Sequence, residues 1–179
     1  MKWLPLAAYI ACIVGANWAI VQFGLVPVGF GLVAPAGVYL AGFTFAFRNV
    51  VQQALGRRWG FACIGIGALL SYAITDKVTI PGGLLPLAIA SGITFLLSET
   101  ADALVWNQLR ERHWWIRAMC VGEACGMVVD SIIFLTLALG SLELLVGQIL
   151  GKLWTIVPVI LLMLAYRAVL ARDTRARLA

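Results

Sequence analysis

Six long apolar stretches occupy most of this sequence and constrain its fold more than any other feature. They cover residues 3–23, 32–47, 59–75, 84–109, 118–140 and 147–170. Each is close to the roughly 20 residues that an α-helix needs to cross the hydrocarbon core of a bilayer. Of the 179 residues, 63% are hydrophobic and 12% are charged, whereas a soluble domain carries about twice that charged fraction. The sequence predicts an all-α integral membrane protein, with six transmembrane helices bundled into a single domain spanning residues 1–179.

Lysine and arginine residues are distributed unevenly among the loops that would connect these helices. Eleven of the 13 fall on one side, whereas Lys77 lies in an opposite loop and Lys152 lies within the sixth stretch. Because cytoplasmic loops carry an excess of these residues, the distribution predicts a multi-pass membrane protein with both termini cytoplasmic. The net charge of +5 is then a signal of orientation and requires no nucleic-acid partner.

Four carboxylates lie inside the apolar stretches: Glu99 and Asp102 in the fourth, Glu123 and Asp130 in the fifth. A charged group at the bilayer centre costs roughly 2.5–3.5 kcal/mol on insertion scales. Counted along the helix axis, Glu99 and Asp130 fall near the midplane, and Asp102 and Glu123 lie further toward the cytoplasm. Lipid cannot satisfy such groups, so we expect them to face the interior of the bundle.

Lys152 is predicted to be the partner of Asp130 or Glu143. Two carboxylates about one helical turn apart cannot both stay ionised in a dry core without cations nearby, so one of the four acids is expected to bind a proton. An alternative interpretation, in which polar side chains only hold the helices together, remains open.

The residue types near the acids suit a flat ring with N–H donors. A carboxylate accepts two parallel N–H bonds from a guanine-like edge while an aromatic ring stacks on its face. A metal cation is the competing solute, because carboxylates also bind hard ions. The candidate substrate-binding residues are Glu99, Asp130, Asn17, Phe95 and Gln148, and the candidate relay or gating residues are Asp102, Glu123, Lys152 and Arg48.

The sequence predicts neither a cofactor nor a metal site. Its four cysteines lack C-x-x-C spacing and are expected to be buried thiols, and its one histidine, His113, lies in a basic loop. No Ser/His or Cys/His pair is available in the apolar core, so a membrane-embedded enzyme is the least favoured hypothesis.

Two sets of residues carry a resemblance to a known family. The first half contributes Ala16-Asn17, Pro35-Ala36-Gly37, Phe43-Thr44-Phe45, Arg48-Asn49-Val50-Val51-Gln52 and Gly56-Arg57. The second half contributes Ala90-Ser91, Phe95, Ser98-Glu99, Asp102, Val129-Asp130-Ser131 and Phe134. Together they are similar to the VUT family, the YhhQ-like queuosine precursor transporters. One position departs from the pattern, because Asn49 follows Arg48 where many relatives have Asp.

The resemblance implies a six-helix protein that is distantly similar to the substrate-binding components of energy-coupling-factor vitamin transporters. It implies import of 7-deazaguanine bases, such as 7-cyano-7-deazaguanine, across the cell inner (plasma) membrane for queuosine biosynthesis. The expected partners are this small nucleobase-like substrate and membrane lipid, with no nucleic acid, and a homo-oligomer is left open. Two alternatives also stay open: a substrate-capture subunit of an ATP-driven vitamin-type transporter, and a transporter of another nucleobase or vitamin.

Overall fold

The structure, a computed structural model, describes residues 3–74, 78–110, 115–159 and 161. Within these residues the chain forms six helices and one β-hairpin. A π-helical segment, Leu135–Leu139, continues the fifth helix directly. The elements in chain order are α1 (Leu4–Phe23), β1 (Leu25–Gly29), β2 (Leu32–Pro35), α2 (Val38–Leu55), α3 (Arg57–Ile74), α4 (Leu87–Arg110), α5 (Trp115–Phe134) and α6 (Leu145–Val159).

Among the described residues, two helices are long and apolar enough to cross a membrane, namely Leu4–Phe23 and Cys120–Leu139. Two shorter apolar helices cover Arg58–Ile74 and Leu145–Val159. The bundle of six transmembrane helices expected from the sequence goes beyond this result and stays a prediction.

The second helix differs most from the sequence-based expectation. Its predicted apolar stretch covers residues 32–47, whereas α2 begins at Val38 and continues to Leu55. Gly56 then adopts a left-handed conformation with φ of +88° and ends the helix, and α3 starts at the next residue. Because α2 continues past residue 47, Arg48 lies within the helix and not at its end.

A β-hairpin connects α1 to α2, and its second strand occupies residues 32–35, which the sequence assigned to the second apolar stretch. Its antiparallel strands pair Leu25 with Pro35 and Val26 with Ala34. The turn between the strands places Phe30 at a positive φ of 53° with a glycine on each side. Pro35 therefore ends β2 and does not open α2. Alternating valines and a glycine-rich turn favour the strands here.

The hairpin is held against the helices by hydrogen bonds to its first strand. The Trp154 indole Nε1 donates to the Val28 carbonyl at 2.9 Å, and the Tyr39 hydroxyl donates to the Pro27 carbonyl at 3.2 Å. Val28 also packs in a small apolar cluster with Ala34 and Val38. The hairpin is thus attached to both α2 and α6.

Buried apolar side chains fill the spaces between the helices. One cluster lies among the first four helices, α1, α2, α3 and α4, and contains Tyr9, Ile13, Val51, Cys63, Ile64 and Phe95. A second joins α1, α4, α5 and the π-helical segment and contains Ile20, Leu87, Ala90, Phe134, Leu135 and Ala138. Helices α2 and α6 approach each other closely at Gly42, where an added Cβ would overlap the Thr155 hydroxyl.

The four cysteines differ in exposure. Cys63 is buried, Cys12 and Cys125 are half-buried, and Cys120 is exposed. The expectation of four buried thiols therefore holds for Cys63 alone. His113 lies outside the described residues.

Candidate functional site: two buried charge centres and a polar cavity

Two cationic side chains are buried inside the bundle, one on α2 and one on α6. The exposed fraction is 1% for Arg48 and 0% for Lys152. The ring of Phe45 lies near both, with its centroid 5.4 Å from Arg48 Cζ and 6.0 Å from Lys152 Nζ. Buried cations need compensating groups, so the acids around each of them define its chemistry.

Arg48 contacts three carboxylates, and we refer to these four residues as the Arg48 cluster. Its Nη2 donates to Glu123 Oε1 at 2.9 Å and lies 3.3 Å from Asp102 Oδ2, and its Nε lies 3.3 Å from Glu99 Oε1. The acids come from α4 and α5, where Glu99 and Asp102 are about one helical turn apart. The cluster therefore ties α2 to both of these helices through one guanidinium, whose five fixed donors suit several acceptors.

The Arg48 cluster also reaches α1. The Tyr9 hydroxyl forms a hydrogen bond with the Glu99 carboxylate, and Tyr9 is 1% exposed. Four helices thus converge on one network in which each polar group supports the geometry of the others.

Lys152 contacts one carboxylate, and we refer to Lys152 and Asp130 as the Lys152 pair. Lys152 Nζ donates to Asp130 Oδ2 and also to the Ser131 hydroxyl at 2.8 Å. The Ser131 hydroxyl in turn donates to the Met127 carbonyl at 2.8 Å. The predicted contact between Lys152 and Asp130 is confirmed, while the other candidate partner, Glu143, is exposed.

A narrow cavity adjoins the Lys152 pair. Its volume of about 20 Å³ is enough for the centre of about one water molecule. Asp130 is the one ionisable side chain among its described lining residues. Those lining residues are Ala16, Asn17, Ile20, Pro35, Gly37, Val38, Ala41, Ser91, Thr94, Phe95, Asp130, Phe134 and Gln148.

Four buried polar atoms around this cavity have no hydrogen-bond partner among the described residues. They are Asn17 Nδ2, Thr94 Oγ1, Asp130 Oδ1 and Gln148 Oε1. Buried polar groups in proteins are nearly always paired, and leaving one unpaired costs about 1–3 kcal/mol. Their convergence on one space indicates a site for a polar ligand. Asn17 Nδ2 can donate, Gln148 Oε1 can accept, the Thr94 hydroxyl can do both, and Asp130 Oδ1 accepts.

The structure brings together four of the five predicted substrate-binding residues. Asn17, Phe95, Asp130 and Gln148 all line the cavity. Glu99 does not belong to the described lining set and instead contacts Arg48. The expectation that Glu99 and Asp130 act side by side is therefore revised for Glu99.

The physical reason for this separation is the position of Arg48. The sequence placed Arg48 at the cytoplasmic end of the second helix and named Lys152, not Arg48, as the partner of a buried acid. Because α2 continues to Leu55, Arg48 lies inside the bundle and draws Glu99, Asp102 and Glu123 into one cluster. The predicted relay or gating residues Arg48, Asp102 and Glu123 are thus brought together, while Lys152 lies in the separate pair.

Thr94 was not singled out from the sequence. It lies three residues after Ser91 and directly before Phe95, both of which line the cavity. A threonine inside a helix usually bonds its own backbone, as Thr44 and Thr100 do here with carbonyls of their own helices. The spacing from Ser91 is the signal that could have identified Thr94.

Comparison with known proteins supplies one finding. Residues 35–170 match the family model described as "Putative vitamin uptake transporter". The matched range includes Arg48, Lys152 and all four acids of the two charge centres, and it begins after α1 and β1. No curated protein and no solved structure matches the chain.

Proposed function

We propose that this chain, which belongs to the vitamin uptake transporter family, imports an uncharged 7-deazaguanine base such as 7-cyano-7-deazaguanine, a precursor of queuosine. Membership of this family, together with the two long apolar helices, makes the chain a membrane protein of a transporter family. Its placement in the inner membrane with both termini cytoplasmic belongs to the proposal. No covalent chemistry is required of the protein.

The observation that carries the proposal is the set of four unpartnered polar atoms around one cavity. A guanine-like ring has N–H donors and a carbonyl acceptor along its edge, which complements a carboxylate oxygen flanked by amides. In the proposed complex, Asp130 Oδ1 accepts an N–H of the ring, and Asn17 and Gln148 bond the remaining edge. Phe95 supplies an aromatic surface for stacking.

The size of the cavity indicates that the described conformation is closed around this site. A volume of about 20 Å³ is far smaller than a two-ring base needs. Entry of the base therefore requires movement of the elements that line the cavity. Two of these elements end in irregular backbone, because Pro35 ends the hairpin and Phe134 directly precedes the π-helical segment. Both are suited to such movement.

Uptake of labelled 7-cyano-7-deazaguanine by cells that lack their own route tests the proposal. The wild-type chain is expected to restore uptake, and Asp130→Asn is expected to lower it by at least about tenfold, because a charged acceptor is lost. Glu143→Gln is the matched control, since Glu143 is an exposed acid away from the cavity. Full uptake by a well-folded Asp130→Asn variant would contradict the proposed site.

Thermal unfolding of the purified protein in detergent separates binding from transport. A ligand that binds only the folded state raises the unfolding temperature by mass action. The deazaguanine base is expected to stabilise the wild type and the Glu143→Gln variant, with a weaker effect on Asp130→Asn. Equal stabilisation by unrelated small solutes would argue against a specific site.

One observation favours a second candidate function, a substrate-capture subunit that works with an ATP-driven module. Ala7 and Ala11 lie one turn apart on α1, and both are exposed. Exposed small residues at this spacing allow another helix to approach closely. This candidate predicts binding by the chain alone but uptake only with a partner, whereas the leading proposal predicts uptake by the chain alone. Co-purification with and without Ala7→Leu distinguishes the two.

A further inference from the structure

We infer that Lys152 determines which ligand charge the site selects, so that the cavity accepts a neutral ring and rejects the same ring carrying a cationic group. Lys152 is not among the described lining residues of the cavity and acts through Asp130. It is thus a positioning and charge-balancing residue. This inference rests on the proposed function, because it assigns a selectivity to the same site.

The two oxygens of Asp130 have different surroundings. Oδ2 accepts from Lys152 Nζ, whereas Oδ1 is buried and has no hydrogen-bond partner within the described part of the chain. Lys152 is 0% exposed, and its ammonium group also donates to Ser131. One oxygen is therefore committed to charge balance, and the other is left for a ligand.

The charge of the site follows from these contacts. Asp130 is the one ionisable group among the described lining residues, and Lys152 balances it, so the pair contributes no net charge to the cavity. The other charged groups nearby form the Arg48 cluster: Arg48 on α2, Glu99 and Asp102 on α4, and Glu123 on α5. The ring of Phe45 lies near both Arg48 and Lys152 and contributes no charge.

A ligand charge entering this site would be left without a partner of its own. A cationic ligand could approach Asp130 Oδ1, but Lys152 already neutralises that carboxylate, so the three groups together would carry one positive charge. Such an excess is costly inside a membrane protein core, where water cannot screen it. A neutral ring bonds Oδ1 through N–H without changing the charge balance.

Removing the charge of Lys152 should reverse this preference. Lys152→Met keeps a long unbranched side chain and leaves Asp130 without its cation. A cationic ligand would then supply the missing positive charge. Lys152→Arg keeps the charge and should keep the preference for the neutral ring.

The experiment measures apparent dissociation constants by thermal unfolding of the purified full chain. The two probes share one ring: 7-cyano-7-deazaguanine is neutral, and 7-aminomethyl-7-deazaguanine carries a cationic amine. The wild type is expected to bind the neutral probe at least about tenfold more tightly, since an unpaired core charge costs more than that factor. Lys152→Met is expected to shift the ratio at least about tenfold toward the cationic probe.

The ratio separates charge selection from a purely structural role. If Lys152 only supported the fold, Lys152→Met would weaken both probes equally and leave the ratio unchanged, and that result would overturn the inference. Equal binding of both probes by the wild type would overturn it as well, without any variant. If Lys152→Met does not fold, the ratio of the two dissociation constants measured for the wild type tests the inference.

The charge-free double variant Asp130→Asn/Lys152→Met supplies a second measurement. With both charges removed, it should keep a preference for the neutral probe, and a preference for the cationic probe would contradict the inference. Failure of both probes to stabilise the wild type would instead refute the proposed function, and with it the inference. Binding of the ring without discrimination would refute the inference alone.

Discussion

The Arg48 cluster and the Lys152 pair each place a buried cation against carboxylates, but the number of carboxylates differs. Arg48 contacts three carboxylates from two helices, whereas Lys152 contacts one. The cluster lies apart from the described cavity lining, and the pair contributes a lining carboxylate with one unpartnered oxygen. A buried acid is therefore not a binding residue merely because it is buried. What distinguishes Asp130 is an acceptor atom that the fold leaves unused beside a cavity.

The largest expected effect comes from removing the cation of the Arg48 cluster. Arg48→Met leaves three buried carboxylates without their shared guanidinium, and breaking even one buried pair costs about 3–5 kcal/mol of folding free energy. We expect the variant to accumulate poorly and to unfold at a much lower temperature. Thermal unfolding in detergent measures the change.

The matched control for Arg48→Met is Arg58→Met, because Arg58 is exposed. Adding Glu99→Gln and Glu123→Gln to Arg48→Met should recover part of the lost stability, since fewer uncompensated charges remain. An unchanged unfolding temperature for Arg48→Met would contradict the view that the Arg48 cluster, unlike the Lys152 pair, mainly stabilises the fold.

The next largest effect is expected at the Lys152 pair. Lys152→Met leaves one carboxylate without a cation, whereas Arg48→Met leaves three. We therefore expect Lys152→Met to lose about 3 kcal/mol of folding free energy, less than Arg48→Met. Asp130→Asn in the same chain should restore most of the stability, because both charges are then absent. Thermal unfolding of the two single variants and the double variant gives the coupling. A double variant less stable than Lys152→Met alone would contradict the proposed charge balance.

The sequence predicts the helices well where apolar residues alone decide them. It fails at the hairpin, because residues 32–35 belong to the predicted stretch 32–47 and no polar alternation marks them as a strand. It also places Arg48 at the cytoplasmic end of the second helix, because arginines that flank apolar stretches normally lie near the membrane surface. The acids that contact the buried Arg48 lie more than 50 positions further along the chain, so local sequence does not reveal them.

The candidate site was predicted in composition but not in arrangement. Asn17, Asp130 and Gln148 were identified because polar residues inside apolar helices are costly unless they contact something, and Phe95 because its ring can stack on a flat ligand. Counting residues gives the height of a side chain along the bundle axis, so Glu99 and Asp130 were placed at one level. The count does not give the rotation of one helix relative to its neighbours, and it does not show which cation lies closer to which acid. The assignment of Glu99 to Arg48 therefore required the structure.

A smaller effect tests the cavity without touching either charge centre. Thr94→Val replaces a buried hydroxyl that has no partner among the described residues with a methyl group of similar size. Folding stability should stay the same or rise slightly, because an unsatisfied buried group is removed. Binding of 7-cyano-7-deazaguanine should weaken about fivefold, the value of roughly one hydrogen bond.

The control for Thr94→Val is Thr100→Val on the same helix, since the Thr100 hydroxyl is exposed and bonds the Leu96 carbonyl. It should leave binding unchanged. If Thr94→Val bound the base as tightly as the wild type, Thr94 would not belong to the ligand site, and the cavity would be defined by Asn17, Asp130 and Gln148 alone.

The smallest expected effect concerns Phe45, which lies near the cations of both charge centres. Phe45→Leu keeps an apolar side chain but removes the aromatic face that lies 5.4 Å from Arg48 Cζ and 6.0 Å from Lys152 Nζ. A cation–π contact is worth about 0.5–2 kcal/mol, so we expect a loss of about 1 kcal/mol in folding free energy.

A double-mutant cycle between Glu123→Gln and Asp130→Asn then measures the energetic coupling between the two charge centres. If they act independently, their effects add to within about 0.5 kcal/mol in the wild type and in Phe45→Leu alike. A larger coupling that disappears in Phe45→Leu would show that the ring transmits the state of the Arg48 cluster to the Lys152 pair, and that the two centres are one functional unit.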